Sequence, residues 1–568
     1  MTDQRNMILA IALSALVLLG WTFLSDRFFP TPKPVTHATA PATPGSPTLT
    51  VPGSGPQLAP GAVLPVATAV GASPRVRIDT PKLGGTINLR GARIDDLILK
   101  TYAQGIEKNS PPVRLFSPSG TTDAYFAQFG WTGTGAPAAD ALWTATGTLT
   151  PTTPITLSTT GPTGAVFEIV LHVDPEWMFT AEQRVRNTGT TPLAVRPFGL
   201  VSRTGEGHEK DAYNLHVGPL GVYGGVLHDT DVGFKKLIEE GPKTATTTGG
   251  WLGITEKYWL AALIPDQRAP VSMRFASAPG ERFQTDLQTA PVSVAPGATA
   301  TVTTRLFAGA KEVETLSRYR DTLGIPLFER AVDWGWFRVI AQPIYELLSF
   351  LFKLTGNFGL AIIGLTLVIR TLMFPIASKQ FASMAKMRIV APRLKALQEQ
   401  YKDDKPKLQQ EMMALYAKEK VNPVAGCLPV MVQIPVFYAL YKTLLISTEM
   451  RHQPFVLWIH DLSAPDPVTP LNLFGLIPWQ PPHMIALGIL PILLGITMWL
   501  QQKLNPAVMD PVQKQVFALM PWVFMFIMAP FAAGLQLYWT TNNLLSIAQQ
   551  WFMLRKYPMP ATPPVVAK

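Results

Sequence analysis

Arg370 is the residue whose surroundings most constrain its chemistry. It interrupts GLAIIGLTLVIRTLMFP (359–375), in which every other residue is uncharged. A guanidinium stays protonated at neutral pH. At the centre of a bilayer it costs roughly 2.5–3.5 kcal/mol on insertion scales, so it needs water, a partner or an exit to the surface. Arg370 lies about five residues from the end of its run, roughly 7 Å along a helix, so snorkelling to the headgroups and burial in a hydrated cavity both fit this stretch alone. Thr366 sits one turn earlier on the same face. Gln433 lies between Pro429 and Pro435, which leave backbone carbonyls in need of partners. Gln536, Thr540 and Asn543 fall at i, i+4 and i+7, a single helical stripe. Taken singly, each polar residue reads as interhelical glue, worth about 0.6 kcal/mol per hydrogen bond. Together with an arginine on a third segment, and with no intramembrane carboxylate to pair it, they favour a water-filled cavity. The chemistry of such a cavity is attraction of acidic groups in a low-dielectric setting.

Bond-making chemistry finds little support. No apolar run contains HExxH, GxSxG, an Asp or a Glu, no P-loop occurs anywhere, and all eight histidines lie outside the apolar runs. His172, His208, His216 and His228 have no metal-ligand spacing. The single cysteine, Cys427, excludes an intramolecular disulfide and a cysteine-based zinc cage. The expectation is a protein that is not an enzyme, with no cofactor and no metal.

The elements that must position these residues follow from composition. Hydrophobic residues make up 47% of the 568, charged ones 15%, and mean hydropathy is +0.18, too apolar for an ordinary soluble protein. The net charge of +10 is not gathered in a nucleic-acid motif, and many basic residues flank apolar runs, so nucleic-acid sequence recognition is not expected. Residues 1–29 carry the apolar run MILAIALSALVLLGWTFL without a small-x-small cleavage site, an uncleaved transmembrane anchor. Residues 30–74, rich in Pro, Ala and Thr, read as a disordered tether. From 75 to 325, short alternating runs such as RVRID, AVFEIVLHVD and TVTTRLF are separated by turn signals such as Asn187-Thr188-Gly189, the pattern of an all-β sandwich. Aromatic-rich 326–357 reads as an amphipathic helix at a membrane interface.

After Pro375, residues 376–422 hold ten Lys and Arg against five Asp and Glu, with Leu394, Leu397 and Tyr401, then Leu408, Met412 and Leu415, at helical spacing. This is a cytoplasmic helical hairpin. Apolar segments follow at 424–446, 484–501, 513–529 and 534–552, the last two divided at Pro530 and Ala532-Ala533-Gly534. Six transmembrane α-helices result, with both termini, including the short tail 557–568, in the cytoplasm and the sandwich outside.

The stretches NFGLAIIGLTLVIRTLMFP, FASMAKMRIVAPRLKAL, QQEMMALYAKEKVNPVAGCLPVMVQIPVFYALY, FVLWIHDLSAPDP and LPILLGITMWLQQKLNP closely resemble the YidC/Oxa/Alb family of membrane protein insertases, in its Gram-negative form with a large periplasmic domain. The likeness runs from about 326 to 556. It implies a five-helix core, within 358–556, enclosing a hydrophilic groove open to cytoplasm and lipid. The family's groove arginine corresponds to Arg370, groove-lining polar positions to Thr366 and Gln433, and its aromatic pair to Tyr538 and Trp539, where the family commonly has two tyrosines. The resemblance also implies nascent membrane proteins, the Sec translocon, the ribosome and the lipid bilayer as partners. The tail is shorter than the family's usual basic extension, so ribosome contact is expected through the cytoplasmic loops.

The function expected is an insertase and chaperone of the bacterial inner membrane. An acidic flank of a new segment enters the groove, and the segment partitions into lipid by its own hydrophobicity. The alternatives are a secondary transporter for an anionic solute using Arg370, which calls for inverted repeats not visible here, and an envelope-binding protein in which 75–310 does the work.

Overall fold

The structure, a computed structural model, describes residues 63–207, 215–401, 404–419, 428–475, 477, 487–504 and 511–556. The expected anchor (1–29), most of the tether, His208, Cys427 and the tail lie outside the described residues.

Period-two alternation builds the first half. Along Met178–Arg186, fully buried positions alternate with partly exposed ones, so one face enters a core. Among the described residues there are two sheets, of eleven and eight strands. The larger runs from an edge strand Lys243–Thr248 through Pro270–Ala278, Arg282–Thr289, Leu193–Thr204, Tyr125–Thr132, Arg93–Ala103, Leu83–Asn88 and Arg75–Asp79 to Thr148–Leu149, with Pro112–Phe116 and Val292–Val294 paired off this path to Arg93–Ala103 and Leu193–Thr204. The smaller runs from Val226–His228 through Gly218–Tyr223, Trp251–Thr255, Trp259–Ile264, Thr299–Ala310, Met178–Arg186 and Val166–Val173 to Ile155–Thr160. Both share a core that includes Phe116, Phe167, Phe179, Trp251 and Phe307. Buried Gln183 of the second sheet donates Nε2 to the Gly130 carbonyl at 2.7 Å and the Phe198 carbonyl at 3.3 Å in the first. This is the all-β sandwich anticipated. Tyr125–Thr132, however, is buried at every position rather than alternately. Its outer face carries a second small cluster of Phe126, Phe198 and Leu200, roofed by the Arg93 guanidinium 5.0 Å from the Phe126 ring.

Two expected boundaries shift. The end of the tether is folded onto the sandwich: Val66–Gly71 forms α1, and the Leu64 N–H donates to the Gly120 carbonyl at 3.0 Å. Short α2 (Phe234–Glu240) and α3 (Val313–Leu323) complete the domain. Residues 326–357 are not one amphipathic helix. A 3-10 turn, Phe328–Ala331, buries Phe328 against Trp251, ring centroids 5.3 Å apart, and only Arg338–Thr355 is α-helical (α4). The reason is that Phe328, Val332 and Trp334 have apolar partners to fill and are almost fully buried. On α4, Ala341, Ile344, Tyr345 and Leu348 face inward, whereas Val339, Phe350 and Leu354 are exposed.

Asn357 caps the next helix by accepting the Leu360 N–H at 3.1 Å. That helix, α5 (Phe358–Gln400), runs 43 residues, about 65 Å at 1.5 Å per residue. Pro375 does not end it, so the first arm of the expected hairpin continues the helix that carries Arg370. The second arm is α6 (Lys405–Lys418), and Arg393 donates to Glu419 across the hairpin at 2.6 Å. The remaining helices are α7 (Leu428–Ile446), α8 (Ile489–Leu504), α9 (Pro511–Met528) and α10 (Ala533–Lys556). Leu367, Leu372 and Phe374 on α5 and Val516, Leu519 and Ile527 on α9 are exposed, an apolar outer surface of the kind lipid covers. Six spans are not matched by length and hydropathy. Among the described residues only Phe358–Ser378 qualifies (21 residues, mean hydropathy 2.1), while Gln433–Ile446, Ile489–Leu504 and Gln515–Met528 are shorter apolar helices. α10 falls short because Gln536, Thr540, Asn542, Asn543, Ser546 and Gln550 dilute its apolar residues.

Polar contacts tie the helices to the sandwich. Fully buried Lys442 on α7 donates to Asp333 at 2.9 Å, and Asp333 also accepts the His216 and Gly335 N–H groups. Burial alone would raise the Asp333 carboxyl, but the Lys442 ammonium and the His216 and Gly335 N–H groups together outweigh it and hold the group below the ordinary carboxylate range. Arg451, in the loop after α7, donates to the Ala103 carbonyl at 2.6 Å and lies 5.4 Å from the Trp259 ring. In the same loop Glu449 accepts the Tyr345 hydroxyl and the Ser447 hydroxyl, each at 2.9 Å. At the α9–α10 corner, fully buried Gln536 donates Nε2 to the carbonyls of Met528, Ala529 and Phe531 at 2.8–3.2 Å.

Desolvation pushes the Glu449 carboxyl above the ordinary glutamate range, more than its hydrogen bonds from Tyr345 and Ser447 lower it. A carboxyl raised by folding contributes most stability below its unfolded pKa and loses it as pH rises through the folded value. Glu449→Gln never ionises, keeps the Tyr345 bond on Oε1 and reverses the other, its Nε2 donating to the Ser447 hydroxyl; it therefore raises the thermal midpoint of the detergent-solubilised protein at pH 8 and leaves little difference at pH 4. A gain larger at pH 4 than at pH 8 contradicts this. Gln536→Ala, which strips the corner of its donor, lowers unfolding stability by about 1–3 kcal/mol in urea titration; a change under about 0.5 kcal/mol contradicts the corner role.

Candidate functional site

The residues singled out in the sequence fall into two groups. Thr366 and Arg370 share a face of α5. Thr366 is buried and donates its hydroxyl back to the Ile362 carbonyl at 2.7 Å, which leaves its oxygen lone pairs as acceptors. Arg370 is half-buried, and its partners are on α10. Nε donates to the Asn542 side-chain oxygen at 2.8 Å, and Nη2 donates to the Asn542 carbonyl at 3.3 Å and the Ser546 hydroxyl at 2.5 Å. No carboxylate pairs with it among the described residues. Tyr538, fully buried one turn before Asn542, accepts a hydrogen bond from Gln433 Nε2 of α7, and its hydroxyl is near enough to Arg370 to interact electrostatically. Arg370, Gln433 and Tyr538 thus come together from α5, α7 and α10, with Thr366 one turn before Arg370 on the same face of α5.

The stripe Gln536, Thr540 and Asn543 does not join them. Gln536 is used by the corner, and Asn543 donates to the Thr497 hydroxyl of α8 at 3.2 Å. Thr540 is buried with its hydroxyl unpartnered among the described residues. Trp539 packs between Phe437 and Phe524, ring centroids 5.2 and 5.1 Å away, with a buried, unpartnered indole N–H. The face toward Arg370 is instead Tyr538, Asn542 and Ser546, at i, i+4 and i+8. Asn542 and Ser546 are the site residues that the sequence reading missed. The spacing from Tyr538 carried the signal, but a polar-only stripe starting at Gln536 competes with it.

Among the described residues, further buried polar atoms of the helices without a protein partner include Ser378 Oγ on α5, Gln502 Nε2 on α8, and Gln549 Nε2 and Gln550 Oε1 on α10. Those on α5 and α10 lie C-terminal to the Arg370 level. Buried donors and acceptors of this kind are most cheaply satisfied by water. The described residues contain no group of three or more His, Cys, Asp or Glu able to hold a metal ion.

Residues 350–560 match the family model described as 60Kd inner membrane protein, and residues 75–347 match the YidC periplasmic domain model. The membrane protein insertase YidC of Zymomonas mobilis subsp. mobilis is 44% identical, with 98% of this chain and 96% of that protein covered. The corresponding protein of Methylobacterium nodulans is 46% identical over 98% of this chain and 95% of its own length. Among solved structures, an active YidC insertase with the first transmembrane domain resolved shares 15% identity at a TM-score of 0.35, covering 85% of this chain and 95% of that one. With near-complete coverage at this identity and both halves matched by family models, the chain belongs to the YidC family of membrane protein insertases.

Proposed function

We propose that this protein inserts hydrophobic segments of newly made proteins into the bacterial inner membrane, and that Arg370 and the polar groups converging on it are the working surface. The observation that carries the site is a half-buried arginine on an apolar helix whose bonded partners are all uncharged. A structural arginine would be neutralised by a carboxylate, as buried charges usually are. One left unneutralised in a low-dielectric setting attracts acid.

In this reading α5, α7, α8, α9 and α10 form the five-helix core, residues 1–29 supply the sixth span, and the sandwich is periplasmic with both termini cytoplasmic. Orphaned polar atoms on α5, α8 and α10 support a hydrated path toward the hairpin end. An acidic flank enters by that path, pairs with Arg370, and so crosses a shortened apolar distance while its hydrophobic neighbour moves sideways into lipid. Thr366, Gln433 and Tyr538 line the path. Gln536, Trp539, Thr540 and Asn543 support it by holding α10 against α7, α8 and α9. The basic hairpin arms suit contact with the ribosome, and the sandwich leaves the Sec translocon room as a periplasmic-side partner.

Arg370→Ala reduces insertion of single-span clients with acidic external tails by about tenfold or more, the effect of losing about 1.4 kcal/mol of attraction, whereas Arg370→Lys retains most of it. Protease protection of client tails in vesicles containing the purified protein reads this out. Normal insertion by the alanine variant refutes the site.

A further inference from the structure

The Arg370 guanidinium is gripped along one edge. Nε and Nη2 carry all three of its hydrogen bonds, to Asn542 and Ser546. Nη1, with two more N–H groups, has no partner among the described residues. It is not among the buried, partnerless atoms either, so it is accessible. Both gripping residues are almost fully buried, about 5% exposed. Ser546 is itself fixed: its hydroxyl donates to the Asn542 carbonyl at 2.6 Å, which turns its lone pairs toward Nη2. Asn542 therefore offers Arg370 two oxygens and aligns a third.

The chemistry of the grip matters as much as its geometry. Asn and Ser accept from a guanidinium without cancelling its charge, and an aspartate of almost the same shape would cancel it. Holding the side chain also removes rotamer freedom that would otherwise be lost when an acidic group binds.

We propose that Asn542 and Ser546 are positioning residues: they hold Arg370 by its Nε/Nη2 edge and keep it unneutralised, so that Nη1 meets the carboxylates of an entering segment. This rests on the reading of Arg370 as the acid-attracting group, and the test separates the two.

Two single-span clients that differ only in the tail, one with acidic residues and one with their amides, are inserted into vesicles containing the full-length protein. The variants are Asn542→Asp, Asn542→Ser, Ser546→Ala and Arg370→Ala. Asn542→Asp is expected to lower insertion of the acidic client by about tenfold, in line with loss of a close charge pair, and to leave the amide client within about twofold of wild type. Asn542→Ser, which retains a neutral acceptor, keeps acidic-client insertion within about threefold, and Ser546→Ala loses a few-fold, the range of one hydrogen bond. The amide client reports on folding, because a merely structural defect lowers both. Acidic-client insertion unchanged in Asn542→Asp, while Arg370→Ala abolishes it, overturns the positioning role and leaves Arg370 standing. Equal loss of both clients in Asn542→Asp also overturns it. Normal acidic-client insertion by Arg370→Ala overturns the underlying reading instead.

Discussion

A positive charge on an apolar helix has to find oxygen atoms, and among the described residues Arg370 finds neutral ones. That requirement shapes α10 more than any other element. To supply Asn542 and Ser546 on one side, Asn543 for α8 on another and Gln536 for the corner before it, α10 becomes polar on several faces. Such a helix is poorly suited to lipid alone, and its polar side chains turn to α5, α7, α8 and the α9 corner, while Leu544, Trp551 and Phe552 are exposed. The exposed apolar side chains of α5 and α9 then make up an outer surface of the kind lipid covers. Buried polar groups of α10 thus share the interior of the bundle with apolar residues such as Leu365, Leu440 and Leu494.

The same chain handles a second buried cation in the opposite manner. Lys442, near the other end of α7, is completely enclosed and has a carboxylate, Asp333, which is further steadied by two backbone N–H groups. A charge matched in this way can fasten but has little attraction left over. Lys442 joins α7 to the segment leaving the sandwich, together with Arg451 on the Ala103 carbonyl and Tyr345 on Glu449. The two cations differ in kind: among the described residues Lys442 has a carboxylate partner, whereas the partners of Arg370 are neutral oxygens.

Much of this was legible in the residues. Period-two runs marked the sandwich, and Pro530 with Ala532-Ala533-Gly534 marked the turn between α9 and α10, observed between Met528 and Ala533. What escaped had tertiary causes. Phe328 and Trp334 look like interfacial aromatics because a sequence does not say which side of a segment meets a folded partner; they fill gaps beside Trp251 and Tyr345. Pro375 looks like a terminator, yet α5 passes through it. Gln536 and Asn543 have the same composition as a groove-lining stripe, and only the rotation of α10 against α5 decides that the neighbouring Asn542 and Ser546 face the arginine.

The unbroken course of α5 through Pro375 has a mechanical corollary. Its two halves, the apolar stretch holding the guanidinium and the charged arm reaching beyond it, form one continuous helix of 43 residues, braced at its base by the Asn357 cap and the stacked rings of Phe352 and Phe358, 3.8 Å apart. Pro375 and Pro392 each take one hydrogen bond out of that ladder, so the arm bends most easily at these two positions, the first of them little more than a turn beyond Arg370.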